Sequence, residues 1–103
     1  MSKKTPLNDL PSEITIKLRK PLDSGDGVMV TQITLREPTL DEMERVQKDS
    51  EKFGGPAAMK SLMGTQNNLP PAVFGAMSAR DFKEADGYIG RFFESSPMDG
   101  ETE

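Results

Sequence analysis

Residues 33–46 read ITLREPTLDEMERV, and within them the chain changes its period. Ile33 and Leu35 alternate with Thr34 and Arg36, the two-residue period of a strand with one buried face. Beyond Pro38, Leu40, Met43 and Val46 recur every third residue, as one stripe of an amphipathic helix does. The switch point is itself a helix start. Thr39 and Glu42 have the T-x-x-E spacing of a capping box, in which each side chain satisfies a backbone N–H that the first turn leaves free. A strand that runs through a proline into a capped helix indicates an α+β class.

Toward the N-terminus the alternation recurs, with Ile14, Ile16 and Leu18 on one side and Thr15, Lys17 and Arg19 on the other. Lys20 and Pro21 are expected to end this strand. Asp23 to Gly27 is a turn of Gly and Asp, and Val28 to Glu37 forms the second strand, with Met29, Thr31, Ile33 and Leu35 on one face. The two strands make a hairpin over residues 13–37. A lone hairpin is marginal in water, so helices or another subunit must cover its apolar face. Residues 1–12 contain Pro6 and Pro11, show no period, and read as a flexible arm.

Toward the C-terminus the first helix covers residues 40–53, with Asp41 and Arg45, and Glu44 and Lys48, spaced for i,i+4 pairs. Gly54 and Gly55 stop it. Pro56 suits the first turn of a short second helix carrying Met59, Leu62 and Met63, expected to end near Gly64 and to be followed by a polar loop at 65–69. Pro70 and Pro71 open a short helical piece through Ala72, Val73 and Phe74. Ser78 is an N-cap, and Met77 with Phe82 has the spacing of a hydrophobic staple. The last helix spans residues 79–93, with an apolar stripe of Phe82, Ala85, Ile89, Phe92 and Phe93. The acidic residues 95–103 read as a disordered tail. The domain is therefore residues 13–94, an N-terminal two-stranded hairpin followed by three to four helices.

Composition narrows the function classes. Leu, Ile, Val and Phe number 21 of 103 residues, at the border of about 20% below which chains tend to disorder. Such a core is small, and small domains gain stability from disulfides, metals or partners. With no Cys and no His, a partner chain is the route left. The net charge is −4, and residues 38–103 carry 12 acids against 7 Lys or Arg, so no nucleic acid is expected as a partner. No run approaches a membrane span or a signal peptide, which predicts a soluble cytoplasmic protein without membrane contact.

No catalytic constellation emerges. The absence of Cys and His excludes a Cys nucleophile and a His base, and a Ser would need an activating base that no spacing supplies; Asp41, Glu42 and Glu44 have local roles in capping and helix pairing. Gly25 and Gly27, like Gly54 and Gly55, lack the context of a phosphate-binding loop. No catalytic, cofactor or metal site is expected. Methionine is more telling, because its side chain adapts to irregular apolar partners. Met29 and Met43 are assigned to the core. Met59, Leu62 and Met63, with Phe92 and Phe93, exceed what a two-stranded hairpin can cover and are the candidate partner-binding residues.

The strand ITIKLRKPL at 14–22, the run ITLREPTLDEMERV at 33–46 and the closing segment MSARDFKEADGYIGRFF at 77–93 together resemble the tail assembly chaperones of Mu-like and related contractile-tailed phages. The resemblance covers residues 13–93. It implies a small non-enzymatic protein of the host cytoplasm that binds the long helical tape measure protein, keeps it soluble, and is absent from the mature virion. Self-association fits the same picture. In that family a longer product often arises by ribosomal frameshifting, and Arg91, Phe92, Phe93 and Glu94 admit a uridine-rich slip site. The competing expectation is a minor tail component retained in the virion.

Overall fold

A computed structural model describes residues 10–94. The expected arm over residues 1–9 and the tail over 95–103 lie outside the described residues. Strand β1 (Glu13–Asp23) pairs antiparallel with β2 (Met29–Arg36), and then follow α1 (Leu40–Phe53), α2 (Gly55–Asn67), a 3-10 helix (Pro71–Ala76) and α3 (Ala79–Glu94). The architecture is α+β, a hairpin with helices packed on it. Gly25 and Gly27 adopt positive φ in the turn between the strands, which Gly does without strain.

β1 does not stop at Lys20 and Pro21. The pairs Ile14–Leu35 to Lys17–Gln32 keep one register, and pairing resumes at Leu22–Val30 and Asp23–Met29. Leu18, Arg19, Lys20 and Pro21 thus stand opposite Thr31 alone, as an enlarged bulge. Proline fits there because no ladder bond is asked of its missing N–H. The bulge also changes which β2 residues face the core. Ile33 and Leu35 are buried as expected, but before the bulge it is Val30 that packs, while Met29 is 53% exposed. Met29 is therefore not a core residue.

The core joins Ile16, Leu22, Ile33 and Leu35 of the hairpin to Leu62 and Met63 of α2, Phe74 of the 3-10 helix, and Ala85, Ile89 and Phe92 of α3. α2 packs on β2 and α3 on both strands, whereas α1 packs chiefly on α2. The helix nearest the hairpin in sequence is thus not the one that covers it. No residue of α1 is fully buried.

α2 continues three residues past the expected stop at Gly64. It ends at Asn68, whose left-handed φ of 58° turns the chain, and the Leu69 N–H donates to the Gly64 carbonyl at 2.9 Å. Gly64 is needed for contact, because a Cβ there would lie 2.5 Å from the Leu69 carbonyl oxygen. The expected polar loop supplies the last turn of the helix, and two of its amide side chains close the free edge of β2. Asn67 accepts from the Thr34 N–H and donates to the Thr34 carbonyl, both at 2.9 Å. Gln66 repeats this at Arg36, at 2.9 and 3.1 Å.

Candidate functional site

Two polar knots hold the helices in place. At the first, Glu42 forms the expected capping box with Thr39 and also takes a two-pronged ion pair from Arg36, at 2.9 and 2.8 Å. Gln66 Nε2 reaches the same carboxylate at 3.4 Å. One side chain therefore ties the end of β2, the start of α1 and the end of α2. The Arg36 guanidinium holds the Glu42 carboxyl below its ordinary range. The pairs expected between Asp41 and Arg45 and between Glu44 and Lys48 are not among the ion pairs of the described residues.

At the second knot, Asp81 in the first turn of α3 is fully buried. Its Oδ2 accepts from the Arg19 N–H at 2.8 Å and the Lys20 N–H at 3.4 Å, and its Oδ1 accepts from Arg19 Nη1 at 2.9 Å. The β1 bulge leaves those amides without a ladder partner, and a carboxylate supplies one. Burial pushes the Asp81 carboxyl up, but the Arg19 guanidinium and the amides outweigh it and keep it below its ordinary value. Ser78 caps α3 as expected, accepting from the Asp81 N–H at 3.1 Å. The S-x-x-D spacing was the only sequence signal for this residue, and by itself it indicates no more than a capping turn.

Tyr88 was also missed. It lies on the buried side of α3, edge-on to Phe92 with ring centroids 5.2 Å apart, and its hydroxyl donates to the Pro11 carbonyl at 2.6 Å. The end of the N-terminal segment, where Leu10 also packs on the core, is thereby fastened to the last helix.

Because α1 stands off the hairpin, two grooves open beside it. The larger, about 650 Å³, runs between α1 and the end of α2, with Leu62 and Leu69 as apolar lining and Asp41, Arg45 and Asp49 on the α1 side. The smaller, about 410 Å³, lies between α1, the start of α2 and α3; its apolar lining includes Val46, Met59, Phe82, Ile89 and Phe93. The smaller is the better match to an apolar segment, since its wall carries little beyond hydrocarbon and aromatic surface.

The five residues selected from sequence fall unequally around these grooves. Met63 and Phe92 are inside the core. Met59 and Leu62 are buried in the same core, yet each lines one groove, and Phe93 is half-buried in the smaller one. The premise that the hairpin cannot cover them fails, because α2, α3 and the hairpin cover one another. Among the described residues no group of three or more Asp, Glu, His or Cys could hold a metal ion. No described helix is long and apolar enough to cross a membrane.

A family model described as phage tail assembly chaperone proteins, E, or 41 or 14, matches residues 15–94. The chain belongs to this family. The match takes in all of the hairpin but the first two residues of β1, both knots and all the helices of the tail assembly chaperone. No curated protein and no solved structure matches the chain.

Proposed function

We propose that this tail assembly chaperone binds an apolar helical segment of the tape measure protein in the groove between α1 and α3 and so keeps that protein soluble during tail assembly. The observation that carries the reading is a helix with a stripe of Leu40, Met43 and Val46 but no fully buried residue, beside a groove lined by Val46, Met59 and Phe93. An amphipathic helix laid in such a groove would cover the Val46 end of that stripe together with Met59 and Phe93. Met59 and Phe93 meet the client directly, Leu62 lines the neighbouring groove, and Met63 and Phe92 support both from within the core.

The chaperone acts by binding, without catalysis, in the host cytoplasm, and leaves before the virion is complete. Self-association of the free protein belongs to the same reading. A frameshift at Arg91 to Glu94 would replace Glu94 onward and so keep all but the last residue of α3 and of the family match, which both end at residue 94. A TTC codon at Phe92 or Phe93 would remove that slip site.

The decisive experiment is co-expression of the tape measure protein with Val46→Glu, a change on α1 that places a charge in the groove. The variant should keep its circular dichroism spectrum and lose the client from the soluble pull-down. Undiminished retention would exclude this groove. Recovery of the chaperone in purified virions would favour a retained tail component instead.

A further inference from the structure

The two edges of the hairpin are treated differently, and the difference points to a second copy of the chain. The Glu37 N–H donates to the Ser12 carbonyl, which sets the alternation of the ladder in the register Glu13–Arg36 to Lys17–Gln32. Ile14 and Ile16 bond inward to β2, and Glu13, Thr15 and Lys17 turn their N–H and C=O groups to the outer edge. The same rule turns Thr34 and Arg36 outward on β2, where Asn67 and Gln66 meet them. On β1 the outward amide of Arg19 is met by Asp81. Between these caps, Glu13, Thr15 and Lys17 are exposed, and among the described residues no hydrogen bond reaches the outward amides of Thr15 and Lys17. An open edge of this kind is a template for another strand.

We infer that β1 pairs antiparallel with β1 of a second copy about a two-fold axis at Thr15, joining two hairpins into one four-stranded sheet. The register follows from the side chains. With Thr15 opposite Thr15, Glu13 of each copy stands opposite Lys17 of the other, so both charged pairs are complementary, and all three positions are hydrogen-bonded ones. On the core side the same register sets Ile14 opposite Ile16 of the second copy, and Ile14 is only partly buried in the single chain. A self-complementary strand of this sort is what an isologous interface requires. The inference deepens the self-association reading, on which it rests, and leaves the client groove on α1 and α3 free.

Analytical ultracentrifugation of the full chain tests it. The wild type should dimerise in the micromolar range. Thr15→Pro removes an amide that β2 does not use, and it should give a monomer throughout that range with an unchanged circular dichroism spectrum. Lys17→Glu sets like charges together and should weaken the dimer roughly three- to tenfold. Adding Glu13→Lys to Lys17→Glu should restore it, which a merely damaged fold would not do. A monomeric wild type at several hundred micromolar, a dimer that survives Thr15→Pro, or failure of the double reversal to rescue would each overturn the proposal. A pull-down of the tape measure protein separates the two readings. Thr15→Pro should retain the client; loss of the client from the Thr15→Pro pull-down, with a wild type that is itself monomeric, would assign the edge to the client instead.

Discussion

Where α3 meets β1, a fully buried carboxylate collects two backbone amides and a guanidinium, whereas α1, a helix of 14 residues, buries none of its side chains fully. The first region gives up solvent to fix one geometry. The second keeps apolar side chains at the surface, with Leu40 and Phe53 both about two-thirds exposed. Buried polar groups are costly unless every partner is in place, so the joint tolerates little change. α1 is held chiefly by α2 and by its cap, and part of its apolar stripe stays uncovered.

If this contrast is right, the largest loss of stability comes from Asp81→Ala, which strands the amides of Arg19 and Lys20 and leaves the Arg19 guanidinium with the longer, exposed contact to Glu84 at 3.4 Å. About 3 kcal/mol is expected, read from urea unfolding. The pH dependence has a definite sign. The folded-state pKa of Asp81 lies below the ordinary 3.8, so its stabilisation is present above that value and is lost as pH falls through the folded-state pKa. Glu42 is lowered in the same sense from 4.5. Asp81→Asn should therefore flatten the fall of the urea midpoint in acid without abolishing it.

Gly64→Ala should follow at about 2 kcal/mol, because the added methyl meets backbone that no side-chain rotation can relieve; differential scanning calorimetry would show it as a lowered Tm. At the start of α1, Thr39→Ala removes a cap and should cost about 1 kcal/mol, with the loss of helix signal confined by hydrogen exchange to α1. The smallest effect is at Phe53→Ser, within about 0.5 kcal/mol of wild type. A loss at Phe53 comparable with that at Asp81 would mean that α1 is buried in the free protein and would end the comparison between the two regions.

What the sequence determined by itself is what short-range chemistry specifies. The alternation at Ile14 to Leu18 and at Ile33 to Leu35, the capping box at Thr39 and Glu42, and the cap at Ser78 each depend on residues within a turn or two, and all of them stand in the structure. The lack of Cys and His was equally visible. What tertiary structure decided lies between residues far apart in the chain. Asp81 reaches Arg19 across 62 positions and Asn67 reaches Thr34 across 33, and no local pattern distinguishes those polar side chains from solvated ones. The bulge at Leu18 to Pro21 needs that distant carboxylate to be affordable at all, so the strand reads as ending where it in fact bends. Gly64 reads as a stop because its reason, a carbonyl packed against its bare Cα, exists only after the chain has turned back at Asn68. The placement of α1 away from the hairpin, and with it the grooves, was decided the same way. An apolar stripe states that a helix has a face to cover, and only the packing of α2 and α3 against the hairpin determines that α1 is the helix left with part of its face open.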